Sequence, residues 1–377
     1  MHSSFGLLIQ RRMNTCQPRI KSRLAFYLKS VLDHQVLELT RIVFFFRKFA
    51  MKTTNFNSKE EKIAPNSLDG VVTRKITNSY TVTTGGLEYE CTPASHLRLE
   101  SRAERGDQIA LGDLVRIRPL SAASAQILEV LPRRNKLSRR SAVPMPGAVP
   151  FEQLIAANID QVVPVFAAAN PSPKWGMLDR YLALAEAQDL TALIVITKID
   201  LAVDGTGNLD QELTAAVAEF RRIGYPVLLT SALTGMGIAE LGSALKGKIS
   251  VLLGKSGVGK SALLNALEPG LGQRVGAVSQ MTGKGKHTTT HLQMFPLAVG
   301  GNLIDTPGVR EFGLYDVDER DVAFLYREIA PLLGQCRFGL GCGHSEEPGC
   351  VVRQAVMDGQ ISARRYHSYL SLVKELG

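Results

Sequence analysis

The residues Gly254-Lys255-Ser256-Gly257-Val258-Gly259-Lys260-Ser261 have the types and spacing to hold a polyphosphate. They follow the apolar run Ile249–Leu253 and precede Ala262–Leu267, which reads as helix, so G-x-x-x-x-G-K-[ST] stands between strand and helix. Its glycines let successive backbone N–H groups curl around phosphate oxygens, and the helix adds the positive end of its dipole. Lys260 brings a point charge to the β and γ phosphates, Ser261 a hydroxyl suited to Mg2+, and the Ala262 N–H joins the cradle. Downstream, Asp305-Thr306-Pro307-Gly308 ends a short apolar run. A carboxylate there can hold Mg2+ through water, and the Gly308 N–H can sense a γ-phosphate. Between the two lies Gly283-Lys284-Gly285-Lys286-His287-Thr288-Thr289-Thr290, suited to a loop whose threonine ligates Mg2+ only when a γ-phosphate is bound. The sequence does not decide which threonine; Thr289 is preferred, and His287 is the candidate for a catalytic role.

A second half-site stands upstream. Thr197-Lys198-Ile199-Asp200 follows an apolar strand, where side chains reach a ligand at the sheet's carboxyl edge. The Asp200 carboxylate can accept from guanine N1–H and the exocyclic amine together, whereas adenine would present a lone pair. The Lys198 stem would cover the base face. Thr197 stands where most GTPases place Asn, and it is shorter with a single hydroxyl. Ser231-Ala232 follows at a spacing that predicts base contact. In an ordinary GTPase the phosphate loop leads and these base-reading motifs trail. Here the order is reversed, as in a circular permutation, which is physically allowed because domain termini usually lie at the surface and close together.

A third constellation is Cys336-x5-Cys342-x-His344-x5-Cys350, three thiolates and an imidazole within fifteen residues. Four such ligands suit a closed, structural zinc tetrahedron, and Gly339, Gly341, Gly343 and Gly349 allow the tight turns it needs. Cys16 and Cys91 stand apart as ordinary thiols. Five cysteines without a secretory signal argue against a disulfide framework and fit a reducing cytosol.

These residues need elements to position them. From Ala156 to about Leu314, apolar runs (Gln161–Ala167, Ala192–Thr197, Val227–Thr230, Ile249–Leu253, Asn302–Ile304) alternate with helical patterns (Leu178–Ala187, Leu209–Arg222, Gly237–Leu245, Lys260–Leu267). That alternation predicts a parallel sheet covered on both faces. Pro164 makes Gln161–Ala167 the least secure strand. Ahead of it, five short β-rich runs between Gly70 and Val130 predict an OB-fold barrel. Arg74, Lys75, Arg98, Arg102, Arg105, Arg116 and Arg118 raise RNA contact as one reading of the barrel, with packing against its neighbour as the other. Residues 133–155 read as a linker that opens with the basic run Arg133–Arg140, either a solvated hinge or a contact to the RNA backbone.

Of the net charge of +9, +7 lies in residues 1–50, so any RNA-binding face on the folded part is local. Residues 1–65 read as a basic arm of no catalytic role, as sequence upstream of a true start near Met51, or as a targeting peptide. The apolar run Ile42–Phe46 is far too short to span a membrane. The expected fold is therefore multi-domain: arm (1–65), OB-fold β-barrel (66–132), linker (133–155), circularly permuted α/β P-loop GTPase domain (156–315), and C-terminal zinc-binding helical module (316–377).

The permuted motif order, the barrel before it and the Cys-Cys-His-Cys knuckle after it together resemble the ribosome small-subunit-dependent GTPase A (RsgA) family. Supporting stretches are Ala156-Ala157-Asn158-Ile159-Asp160-Gln161, Gly285–Thr290 and Asp305-Thr306-Pro307-Gly308-Val309-Arg310-Glu311-Phe312-Gly313-Leu314. The resemblance spans roughly residues 66–376. It implies GTP hydrolysis to GDP stimulated by the small ribosomal subunit, late subunit maturation, rRNA binding by the barrel and zinc modules, and a cytoplasmic monomer. Ras-like enzymes place Gln after D-x-x-G to orient the attacking water. This chain has Val309, which cannot, so water must be positioned from elsewhere; the resemblance favours His287. Two other functions compete: a P-loop kinase or other metabolic nucleotide enzyme, and a non-hydrolysing RNA-binding scaffold that holds GTP.

Overall fold

Five strands alternate buried and exposed residues closely enough to close on themselves. A computed structural model of the chain describes residues 66–76, 79–97, 109–140, 151–203, 208–275, 291–305, 314 and 317–376. Strands β1 (Leu68–Ile76), β2 (Ser79–Thr84), β3 (Leu87–Pro93), β4 (Leu114–Pro119) and β5 (Ser124–Val130) pair in the order β1-β2-β3-β5-β4, and β4 returns to β1. Only β3 and β5 run parallel. Val72, Val82, Cys91, Val115, Ile117 and Ile127 point inward and are wholly buried. The expected OB-fold barrel is therefore present.

Of the segment read as the basic linker, the described residues 133–140 and 151–155 carry a strand pair. Lys136–Arg140 form β6, which pairs antiparallel with β7 (Glu152–Ala157). Four of the segment's cations have partners: Arg133 grips the buried Asp113 through both carboxylate oxygens (2.6 and 2.8 Å), Arg134 reaches Asp160 (2.6 Å), Lys136 pairs with Glu152, and Arg139 donates to Gln153. The barrel's nominated cations are similarly occupied. Arg74 pairs with Glu90, Arg116 with Asp69 and Glu129, Arg118 bonds Gln126, and the buried Lys75 donates to the Ile109 carbonyl. Arg98, Arg102 and Arg105 lie outside the described residues.

The second sheet follows the expected alternation. Its order is β11 (Val227–Leu229), β10 (Ile194–Thr197), β8 (Gln161–Ala167), β12 (Ile249–Leu253), β14 (Asn302–Asp305) and β13 (His291–Pro296), all parallel except β13. The two-residue β9 (Thr191–Ala192) adds to β8. Along β10, Ile194 and Ile196 face the core shared with α1 (Trp175–Ala187) and α2 (Gln211–Arg222). Leu193 and Val195 face the core shared with α3 (Ile238–Leu245) and α4 (Lys260–Leu267). Both faces are thus covered, as a parallel sheet requires. Asp210 caps α2 by accepting from the Leu213 N–H. Pro164 is tolerated in β8 because it sits on the last rung with β12, where pairing passes to β10 through Val165.

β13 has no counterpart in the sequence reading. It pairs antiparallel with β14 and with barrel strand β1 (Arg74 opposite Gln293, Lys75 opposite Leu292), so barrel and α/β sheet form one continuous sheet. A polar knot fastens the same two parts elsewhere. Asn158, at φ +54°, donates to the Gly112 carbonyl and accepts from the Arg134 N–H, while Asn135 bonds both backbone groups of Ile159. Gly112 has φ +80°, and a Cβ there would stand 2.2 Å from the Ala157 carbonyl oxygen, so only glycine fits.

The C-terminal part comprises 3-10 turns at Glu319–Leu325, Ala330–Leu332 and Gly339–Gly341, then α5 (Val351–Met357) and α6 (Ala363–Leu376). It docks on α1 and α2 through charge. Arg365, 1% exposed, bonds Glu328 (2.6 and 3.0 Å) and Asp179 (2.7 Å), and its guanidinium lies 4.5 Å from the Tyr326 ring centre. Arg364 takes the other Asp179 oxygen (2.8 Å) and Glu219 (2.6 Å). Burial alone disfavours the Arg365 charge, and its two carboxylates more than offset that.

Candidate nucleotide and metal sites

The permuted order would be only a curiosity of sequence if the fold kept its two half-sites apart. It brings them together. Parallel strands β10 and β12 flank β8, so the loops leaving their carboxyl ends meet above the sheet.

Thr197 ends β10 and is 3% exposed. Its hydroxyl donates to the carbonyl of Val258 in the phosphate loop; the Phe166 carbonyl lies farther, at 3.3 Å. Lys198 has φ +56°, a left-handed conformation that costs a non-glycine residue about 1 kcal/mol or more and marks functional turns. Its stem passes over Gly259, and its ammonium donates to the carbonyls of Asn170 and Gly257, the latter at 2.7 Å. Ile199 is buried under the turn that presents Asp200. One Asp200 oxygen accepts from the Ser231 hydroxyl at 2.5 Å, which orients the carboxylate. Ser231 is fully buried, and its oxygen also accepts from the Thr234 N–H, so the Ser231-Ala232 turn and Asp200 form one unit.

In the phosphate loop, a Cβ on Gly254 would stand 2.6 Å from the Val165 carbonyl oxygen, while Gly257 and Gly259 have φ +82° and +93°. Each glycine has its own reason to be there. Lys255 and Ser256 lie on the outside of the turn, and Val258 buries its side chain in the core. Lys260 opens α4 and donates to the carbonyls of Gly254 (2.7 Å) and Lys255 (3.1 Å). Burial lowers its pKa, and the nearby Asp305 acts against that. Ser261 and Ala262 occupy the first turn of α4, and Asp305, buried, ends β14. His287, Thr289 and Gly308 lie outside the described residues. Sequence reasoning missed Asn170, whose carbonyl holds Lys198. Its signal was Asn-Pro just past the end of β8, a turn signature.

The third constellation also assembles. Ligand atoms of Cys336, Cys342, His344 and Cys350 all lie within 4.8 Å of one another, and all four residues are buried. A tetrahedral Zn2+ with ordinary bond lengths has S···S edges of about 3.8 Å and S···N edges of about 3.6 Å. The observed separations are 3.9 Å for Cys336–Cys350 and 3.5 Å from each of these sulfurs to His344 Nδ1. The residues present therefore fit a metal. Backbone N–H groups of Val351 and Arg353 point at the Cys336 and Cys350 sulfurs. From α6, Tyr366 and Tyr369 donate to the His344 and Gly343 carbonyls. Glu347 accepts from the Gly343 and Ser345 N–H groups and shapes the loop. Burial pushes the Cys342 thiol up to about 12, so a cation binding there must displace its proton.

Comparison with known proteins agrees with this geometry. The family model for the RsgA GTPase matches residues 130–315. A relative from Gemmatimonas aurantiaca, named small ribosomal subunit biogenesis GTPase RsgA, is 45% identical over 282 residues, 74% of this chain and 88% of its own. The crystal structure of YjeQ from Thermotoga maritima aligns with a TM-score of 0.63 and 33% identity, covering 82% of this chain and 98% of that one. YloQ, described as a circularly permuted GTPase, aligns at 0.59 with 27% identity, covering 84% and 97%. With its base-side and phosphate loops joined in permuted order, and with identity sustained over most of a relative's length, the chain belongs to the RsgA GTPase family.

Proposed function

We propose that this chain hydrolyses GTP to GDP and phosphate, is stimulated by the small ribosomal subunit, and acts in late maturation of that subunit through rRNA binding. The observation that carries the reading is the contact of Thr197 and Lys198 with Val258 and Gly257, which makes one site of two motifs 59 to 61 residues apart. Asp200, with Ser231 and Ala232, reads guanine. Gly254 to Ala262 hold the phosphates, and Gly308 meets the γ-phosphate. Ser261 and Thr289 would hold Mg2+, assisted by Asp305; the ion would neutralise phosphate charge. The RsgA names of relatives supply the ribosomal partner. His287 orients the attacking water, since Val309 lacks a hydrogen-bonding group.

Cys336, Cys342, His344 and Cys350 hold one structural zinc, supported by the tetrahedral spacing of their ligand atoms. With four protein ligands no position remains for substrate, so the metal's work is to shape the module. The barrel and zinc modules contact rRNA. Among the described residues no helix is long and apolar enough to cross a membrane. That the chain is a cytoplasmic monomer rests on the family resemblance alone. GTP turnover measured with and without purified small subunits tests the function. A large stimulation is expected; turnover indifferent to subunits would overturn it. For zinc, Cys342→Ser should lower metal content and weaken subunit binding while nucleotide binding stays largely intact. Elemental analysis of the wild type, purified without chelators, finding no zinc would reject the assignment.

A further inference from the structure

Two adjacent residues of the base-side motif hold two adjacent carbonyls of the phosphate loop. Lys198 takes that of Gly257, and Thr197 that of Val258. A planar trans peptide places its C=O and N–H on opposite sides. Pinning the Gly257 carbonyl to the base side therefore turns the Val258 N–H the other way. Pinning the Val258 carbonyl does the same for the Gly259 N–H. Both N–H groups are thereby turned away from the base-side motif that holds the carbonyls, leaving them available to an anion. Gly259, at φ +93° and directly before α4, has no side chain to hold its own plane, so an outside anchor matters most there.

Thr197 has one hydroxyl hydrogen, and its nearest acceptor is the Val258 carbonyl. The residue is buried to 3% exposure among backbone groups of β8 and the phosphate loop. A side-chain amide, as most GTPases carry at this place, has hydrogens for the loop and for a base at once. A threonine hydroxyl does not. We propose that Thr197 is a positioning residue that sets the phosphate loop, and that it does not read the base, leaving base choice to Asp200 and its Ser231 partner. The inference rests on the guanine-nucleotide reading of the site and reassigns one residue within it.

The test is equilibrium binding of GTP, GDP, 7-deaza-GTP and 6-thio-GTP, with Mg2+ and with ATP as the control for base choice, to the full-length wild type, Thr197→Val and Thr197→Ser. A hydroxyl can donate only to an acceptor of the base; 7-deaza-GTP lacks N7 and 6-thio-GTP replaces O6 by a weakly accepting sulfur, so the two together report donation to guanine. Thr197→Val keeps the shape and removes the hydroxyl. It should weaken all four guanine nucleotides by a common factor, about tenfold, for one lost hydrogen bond that orders a charged-ligand site. The ratios of GTP to the two analogues should stay those of the wild type. Thr197→Ser, which retains the hydroxyl, should bind as the wild type does. Should the valine variant fail to fold by thermal melting, Thr197→Ala carries the same expectation. A changed ratio to either analogue would show that Thr197 reads the base and would overturn the proposal, as would unchanged affinity for all four. A wild type that does not prefer GTP to ATP would instead reject the guanine reading, and the hydroxyl's role is then judged by the loss of ATP affinity in Thr197→Val.

Discussion

At the scale of single residues, each group in the nucleotide site does one job because its neighbours leave it no other. Asp200 is half-buried and held by Ser231 through one oxygen, between the buried Ile199 and the exposed Leu201. Asp200→Asn should therefore weaken guanine nucleotides by about 1–3 kcal/mol, the range for a buried polar group left mismatched, and improve xanthine relative to guanine. Competition binding of GTP against XTP measures this, and an unchanged ratio would remove Asp200 from the base site. Gly112 is a second residue with one solution. Gly112→Ala brings a Cβ to 2.2 Å from the Ala157 carbonyl oxygen at φ +80°. It should cost about 2–3 kcal/mol in urea denaturation, through strain and a displaced barrel contact.

At the scale of elements, the C-terminal module and the α/β sheet are joined by buried charge. Arg365 on α6 reaches Asp179 on α1 and Glu328, while Arg364 reaches Asp179 and Glu219 on α2. A buried ion pair is weak evidence of net stability, but breaking one leaves uncompensated charge. Arg365→Met fills the space and abandons Glu328 and one oxygen of Asp179. The expected loss is about 3–5 kcal/mol, read by denaturation of the whole chain. A loss below about 1 kcal/mol would mean the carboxylates find water or another partner. The sequence showed two arginines at the start of a helical run; it did not show which carboxylates, 37 to 186 residues away, they would meet.

At the scale of the whole molecule, Asp305, which we propose stands at the γ-phosphate side of the site, lies between two anchored parts. Asp305 ends β14, and the chain runs on through Val309 to Leu314 toward the metal module, which is itself fixed to α1 and α2. On the other side, β14 pairs with β13, and β13 with the barrel. Any nucleotide-driven change near Asp305 therefore has solid attachments on both sides, and subunit docking can act back along them. Binding coupling must be reciprocal. A non-hydrolysable GTP analogue should tighten small-subunit affinity relative to GDP, and subunits should tighten analogue affinity by the same factor. Equal subunit affinity with both nucleotides would refute the switch. His287→Ala should remove much of the stimulated turnover and leave GTP affinity near that of the wild type, since orienting water is a transition-state task. Full stimulated turnover would reject His287 and spare the switch.

Local pattern carried the strands, the helices and the motifs. Val and Ile runs fix β8, β10 and β12, the glycines and Lys260 fix the phosphate loop, and Cys-x5-Cys-x-His-x5-Cys fixes the metal ligands. These depend on side-chain types within about fifteen residues, which a sequence displays directly. Other features depended on distant partners. Leu292, Met294 and Phe295 are buried but give β13 little to distinguish it until β1 and β14 supply its hydrogen bonds. The run Arg133–Arg140 looks like a free basic surface in sequence, and only the fold brings Asp113, Asp160 and Glu152 beside it. Thr197 is the sharpest case. Its type and place announced a nucleotide site, but a single hydroxyl hydrogen goes to the nearest acceptor, and the tertiary structure put Val258's carbonyl there.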